Sequence, residues 1–238
     1  MRRIGSFLLC VTTLAAIGFI GGRTAEAAPV LQPGSSITNG TDWCTLNWIY
    51  DGTGAHAGQV FGGTAAHCFP TGARVSISNA SLGAPIAQIG TVAYRSTALD
   101  FELIRIDSPC ACAVSAAMAG HPAIPSGVAT TSDAKVGDIV QYSGHGELTD
   151  LTALTQQDRI GILGYNDGSQ HFSYGLISPG DSGGPVADLT DGNKALGIVD
   201  TVGVALTPLP QAGEGGVSLQ GLLADAAAHG FTVRLRTV

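Results

Sequence analysis

Charge is scarce in this chain of 238 residues: Asp, Glu, Lys and Arg together make up 12% of it, and 11 basic residues face 18 acidic ones. A formal charge of −7 leaves no basic surface for phosphates, so a nucleic-acid partner is not expected. Low charge combined with 45% hydrophobic residues also excludes a disordered chain. Beyond residue 20 no apolar run is long enough to cross a bilayer. Neither a glycine-rich phosphate loop nor a dinucleotide fingerprint occurs, so no nucleotide or organic cofactor is implied. There is no His-Glu-x-x-His, and His56, His121, His145, His171 and His229 are scattered without metal-ligand spacing, so no metal is expected.

Glycine is plentiful instead, with 34 residues, which suits a β-rich chain of one unit or two small lobes. At the start, Arg2 and Arg3 precede an apolar run from Ile4 to Ile20, and Ala25-Glu26-Ala27 offers small residues for cleavage. Residues 1–27 therefore read as a secretory signal, and the protein is expected to be extracellular. The rival reading, a membrane anchor, is interrupted by Gly18, Gly21, Gly22 and Arg23 before it reaches spanning length. Without residues 1–27 the net charge becomes −9, and loss of Cys10 leaves four cysteines. An even number in an oxidising compartment points to disulfides, and four cysteines allow three pairings.

The stretch from Ser178 to Val186, Ser-Pro-Gly-Asp-Ser-Gly-Gly-Pro-Val, holds one hydroxyl, Ser182, inside a forced turn. Glycines on both sides clear the approach of a carbonyl carbon. They also let the N–H groups of Gly180 and Ser182 point at one spot, as an oxyanion hole requires. Alone, the stretch is equally a surface turn between strands. A serine nucleophile needs a base, and Gly63-Thr64-Ala65-Ala66-His67-Cys68 places His67 at the end of an apolar run. A base needs an orienting acid, and Asp100 stands at the mouth of the alternating segment Phe101-Glu102-Leu103-Ile104-Arg105-Ile106.

These stretches, in the order His67, Asp100, Ser182, resemble the chymotrypsin-type (trypsin-like) serine proteases, whose motifs read Thr-Ala-Ala-His-Cys, Asp-hydrophobic and Gly-Asp-Ser-Gly-Gly-Pro. The resemblance covers about residues 44 to 204. It implies an all-β fold of two antiparallel β-barrels with a C-terminal helix, a polypeptide substrate, and a triad of His67, Asp100 and Ser182. It also favours a Cys44–Cys68 disulfide, which leaves Cys110 and Cys112 to pair with each other. In the family the residue six before the nucleophile lies at the base of the primary substrate pocket. That residue is Leu176, with Val202 and Gly203 on the opposite wall, so apolar residues before the cut are expected.

Two departures from the family pattern stand out. Ile37-Thr38-Asn39-Gly40 is a poor version of the segment that becomes a new N-terminus on activation, and it lies too close to Cys44, although Asp181, which usually receives that ammonium, is present. Leu196-Gly197-Ile198-Val199-Asp200-Thr201 carries Asp200 where the family has a serine that donates to the catalytic carboxylate. Either Asp200 faces Asp100 and keeps its proton, or a one-residue bulge turns it to solvent and the hydroxyl of Thr201 takes its place.

In chain order, residues 28–40 read as a short extended leader and 41–238 as the protease domain. The first barrel is expected over about 41–107, a linker over 108–130, the second barrel over 131–215 and the helix over 218–229. Phe231 to Val238 alternates and is a candidate strand. A secreted serine endopeptidase is the expected activity. An esterase with the same triad, or a silent homologue using the two-barrel surface for binding, are the alternatives.

Overall fold

The computed structural model describes residues 28–120, 124–152, 157–205 and 211–237, with the backbone alone at 202–205 and 211–212. The expected signal segment and His121 lie outside the described residues. Short runs of β-branched and aromatic residues between glycine-rich turns give sixteen strands among the described residues. In chain order they are β1 Val30–Leu31, β2 Ser36–Thr38, β3 Trp43–Thr45, β4 Ile49–Gly52, β5 Val60–Thr64, β6 Arg74–Ser78, β7 Pro85–Ser96 and β8 Phe101–Ile106, then β9 Ala113–Val114, β10 Ile139–Ser143, β11 Asp158–Asn166, β12 Gln170–Tyr174, β13 Pro185–Asp188, β14 Lys194–Ala205, β15 Gln211–Ser218 and β16 Val233–Leu235. Two α-helices join them, α1 Glu147–Asp150 and α2 Leu219–Ala228, with one 3-10 turn at Gly54–His56.

The strands form two lobes. The second is a closed barrel in the order β10-β11-β12-β15-β14-β13; the first is an eight-stranded sheet in the order β16-β4-β5-β8-β7-β6-β2-β3. The two-barrel all-β architecture with a C-terminal helix is thus present, with β16 and β3 as the ends of the first sheet. No helix among the described residues is long and apolar enough to cross a membrane.

Residues 28–40 are not a free leader. Leu31 and Ile37 are fully buried, and Ile37 pairs with both Cys44 and Ile77, so the segment is built into the first lobe. Its two apolar side chains supply the anchoring that its Pro/Gly/Ser-rich composition hides. The expected linker is pinned as well: β9 pairs with β1, and Ala129 N–H donates to Ala195 O of the second barrel at 2.8 Å. The candidate strand at the C-terminus is β16, which pairs with β4 of the first lobe.

Each lobe has its own core, and a third cluster joins them. Trp48, Tyr50, Phe61 and Phe101 of the first lobe pack with Ala195, Ile198, Leu219 and Leu222 of the second lobe and α2. Trp48 Nε1 crosses the boundary to donate to Gly197 O at 3.1 Å, fully buried. Desolvated aromatic area and a satisfied indole together hold the lobes in one relative position. The cleft between them therefore has fixed walls.

Candidate active site

His67 stands in the turn that ends β5. Cys68 beside it is tied to Cys44 of β3, and Thr64 Oγ1 donates to Thr45 O at 2.9 Å, so the loop is held at both ends. Cys110 and Cys112 form the second disulfide, away from this site. Asp100 sits between β7 and β8 with φ +46°, a left-handed conformation that costs a side chain energy and is tolerated best by Asp and Asn. That turn aims both carboxylate oxygens at His67: Oδ1 accepts from the His67 N–H at 2.7 Å, and Oδ2 lies 2.5 Å from Nδ1.

Ser182 comes from the second lobe, in the turn before β13. Gly180 has φ +97° and Gly183 φ +81°, both left-handed. At Gly183 a Cβ would fall 2.1 Å from Thr64 Oγ1, so only glycine fits there. The turn is sewn to the first lobe: Thr45 N–H donates to Ser182 O at 2.9 Å and Thr45 Oγ1 to Gly180 O at 2.8 Å. Gly183 N–H donates to Val199 O at 2.7 Å. The N–H groups of Gly180 and Ser182 meet no protein acceptor among the described residues, so both are available to a ligand. His67, Gly180 and Ser182 line one cavity of about 280 Å³ at the lobe boundary. His67 and Ser182 share it without a direct hydrogen bond to each other.

Beneath the turn, Asp181 is buried and receives Arg159 at both oxygens, Nη1–Oδ2 at 2.8 Å and Nη2–Oδ1 at 2.6 Å. The N–H groups of Gly146 and Ser178 add bonds of 2.9 and 2.8 Å. Sequence reasoning missed Arg159. The Asp181 carboxylate is thus occupied from within the chain, while Ile37 is buried in β2.

At Asp200 the structure combines parts of both arrangements expected from the sequence. The register of β14 against β15 does shift between Val199 and Thr201, so a bulge is present. The bulge turns Asp200 inward rather than to solvent: Oδ1 lies 4.0 Å from His67 Nδ1, and the carboxyl shares a hydrogen bond with Asp100. Thr201 is exposed and lies over Gly215 instead. Burial, then the bond and the negative charge of Asp100, push the Asp200 carboxyl up to about 7. Burial acts upward on Asp100 too, but the His67 ring, the Asp200 carboxyl and the His67 N–H outweigh it and hold Asp100 well below the usual carboxylate range. The bond to Asp100 raises the His67 imidazole, against the opposing effect of burial.

His67, Asp100 and Asp200 also offer three ligand atoms within 4.8 Å of one another, as do Cys44, His67 and Cys68. The sulfurs are spent in a disulfide and the carboxylates in shared hydrogen bonds, so neither group is assigned to an ion.

Of the residues expected to form the primary substrate pocket, only Leu176 has a described side chain. Leu176 is 54% exposed and lines neither the cavity beside Ser182 nor the one beside Asp200. Alternation explains it: the next residue, Ile177, packs into the second core and turns Leu176 outward. Val202 pairs with Glu214 and Gly203 with Gly213, and only their backbone is described. Sequence reasoning also missed two buried acids. Glu102 is fully buried with neither carboxyl oxygen bonded among the described residues, and burial pushes it up to about 9. Glu214 lies 2.9 Å from His171 Nε2, both side chains fully buried, and accepts from Ser173 Oγ at 2.9 Å.

Three comparisons bear on this geometry. The trypsin family model matches residues 52–208, more than half of the chain. Among solved structures, Thermobifida fusca protease A superposes with a TM-score of 0.64 at 21% identity, and Cellulomonas bogoriensis chymotrypsin with 0.58 at 20%; each alignment covers 88% of this chain and all of the other. No curated protein matches in sequence. At these identities the structural likeness carries the fold, and the family match over contiguous residues carries the membership. The chain belongs to the trypsin family of serine proteases.

Proposed function

We propose that the protein is a secreted serine endopeptidase that cleaves peptide bonds through an acyl-enzyme on Ser182. The observation that carries the reading is the two-point contact of Asp100 with His67, whose ring lines one cavity with Ser182 and with Gly180 beside the free N–H groups of both. Asp100 accepts a hydrogen bond from Nδ1–H, which leaves Nε2 as the basic nitrogen that faces the substrate. His67 takes the Ser182 proton as Oγ attacks the carbonyl carbon, and the developing oxyanion meets the two N–H donors. His67 then protonates the leaving amine, and water repeats the sequence on the acyl-enzyme.

Two further residues act on this machinery. Asp200, protonated, donates to Asp100 in the role that a serine hydroxyl has elsewhere in the family, and the pair carries one proton between two carboxylates. Arg159 neutralises Asp181 and holds the oxyanion turn, so the site does not depend on a new N-terminus at Ile37. Residues 1–27 act as the secretion signal in this reading, and the two disulfides suit an oxidising destination.

The test is labelling of purified protein with a fluorophosphonate, read together with hydrolysis of a casein-type substrate. Labelling at Ser182 that disappears in Ser182→Ala, with casein cleaved by the wild type, supports the endopeptidase. Labelling with hydrolysis of small esters alone would make it an esterase, and no labelling at all would make it a binding protein.

A further inference from the structure

The cavity beside Ser182 has a composition of its own. It is lined by the buried Cys44–Cys68 disulfide, by Trp43 and Leu82, and by the exposed Asp42 and Glu147. Among the described side chains it contains none from residues 194–201 of β14, the strand that carries the acyl-side wall expected from the sequence. It does contain His67, which must stand next to the leaving amine to protonate it. The cavity is therefore on the leaving-group side of the scissile bond.

Its walls come from both lobes and are locked together. Leu82 adopts φ +59°, a left-handed conformation that is strained for leucine, and its loop is held at several points. Trp43 Nε1 donates to Gly83 O at 3.0 Å, Gly83 N–H donates to Ala80 O at 3.0 Å, and Ser81 N–H donates to Asp150 of α1 at 2.5 Å. Ser81 Oγ also donates to His145 O. Leu82 from the first lobe and Glu147 from α1 of the second thus form one preformed mouth, with Leu82 itself 56% exposed to whatever enters.

The electrostatics of that mouth have one sign. Glu147 is exposed and its carboxylate has no partner among the described residues. Asp42 is exposed and takes two neutral donors on Oδ2, Asn39 Nδ2 and Thr41 Oγ1, each at 3.0 Å, which leaves its charge uncompensated. Among the described residues, no Lys or Arg lines the cavity. An apolar lining beside two exposed, unneutralised carboxylates matches a side chain made of an aliphatic stem and a cationic head. We propose that this cavity receives the side chain of a residue just after the scissile bond and selects lysine or arginine there, with Trp43 and Leu82 against the stem and Asp42 and Glu147 facing the charge. The inference rests on the endopeptidase reading and names part of its substrate.

The experiment uses internally quenched peptides with one fixed acyl half and Lys, Arg, Leu or Glu at each of the two positions after the cut. The wild type is expected to favour Lys and Arg over Glu by roughly 3- to 10-fold in kcat/KM, as two exposed charge pairs allow, and less so in high salt. The double variant Asp42→Asn/Glu147→Gln is expected to bring that ratio close to one; because the readout is a ratio between substrates, partial loss of folded protein does not affect it. A protein that labels with fluorophosphonate and cleaves all four peptides equally would overturn the inference and leave the endopeptidase standing. A full Lys-over-Glu preference retained in the double variant would overturn the assignment to these carboxylates. Absence of both labelling and cleavage would remove the endopeptidase reading itself, and the inference with it.

Discussion

Arg159 and Asp181 meet in a two-pronged ion pair, 2.8 and 2.6 Å long, directly under the turn that presents Ser182. The guanidinium also sits 5.6 Å from the centroid of the Tyr142 ring, so its position is fixed from two directions. Removing one member of such a pair strands a buried charge. Arg159→Met is therefore expected to cost about 3–5 kcal/mol of stability. The double variant Arg159→Met/Asp181→Asn should recover much of that loss, because the orphaned charge is gone, but not the activity, because the turn is no longer held. Melting temperatures and kcat/KM for the three proteins check this. Wild-type activity in the single variant would mean that the turn is held by its other bonds alone.

The Asp100–Asp200 pair sets a pH dependence. Asp200 is raised to about 7, so below neutrality it keeps its proton and donates to Asp100; as pH rises through that value the donor is replaced by repulsion. His67 must be neutral to act as base, and its raised pKa moves the acidic limb upward. Activity should therefore peak within a narrow window near neutrality and fall on the alkaline side. Asp200→Ser supplies a hydroxyl donor that does not titrate there, and it should abolish the alkaline fall. Profiles of kcat/KM from about pH 5 to 10 for both proteins decide the matter; identical alkaline limbs would detach Asp200 from the mechanism.

The members of the proposed triad should differ in their deficits. Ser182→Ala and His67→Ala are each expected to lower kcat by about a millionfold, since neither works without the other. Asp100→Asn should lower it by about ten-thousandfold, through the wrong imidazole tautomer. Single-turnover kinetics with an activated ester would measure all three. A loss below tenfold in Ser182→Ala would exclude it as the nucleophile.

Glu102 gives a stability prediction independent of activity. Its buried carboxyl is raised to about 9, from an ordinary value near 4.5. Below the ordinary value both states are protonated and nothing is lost. Between the two values the unfolded chain ionises while the folded one does not, so stability falls by up to about 1.4 kcal/mol per pH unit. Glu102→Gln should flatten this slope. Denaturant midpoints from about pH 4 to 9 test it, and parallel slopes for the two proteins would refute it.

What the sequence disclosed and what it hid follow from the range of the interactions. Ser182 and His67 were legible because the turn chemistry around each is local and contiguous: glycines for left-handed φ, and a cysteine to fix the loop. Arg159 was hidden because its strand exposes the wrong residues. In Asp158-Arg159-Ile160-Gly161-Ile162, Ile160 is 66% and Ile162 50% exposed, while the arginine faces the barrel interior. Hydrophobic alternation read from that segment points the charge outward. Asp200 was visible as a departure, but its direction depends on a bulge set by pairing with β15, and no local signal encodes that. Leu176 was placed by its spacing from Ser182, whereas burial of Ile177 decides where it points. The segment 28–40 looked like a leader by composition, and only its long-range pairs with β6 and β9 reveal otherwise.

The first lobe is completed by a strand far from its partner in sequence. β16 pairs with β4, Arg236 Nη2 binds Asp51 at 2.5 Å, and Phe231 stacks on His56 with ring centroids 4.6 Å apart. Translation therefore leaves the first lobe incomplete until residue 236 has left the ribosome, even though His67 and Asp100 were made long before. In this architecture Ser182, His67 and the strand that closes the sheet come together only after residue 236 has been made. Assembly of the proposed site is thus timed by biosynthesis itself, and a chain stopped at Gly230 is expected to be degraded rather than active, as pulse-chase of the truncated form would show.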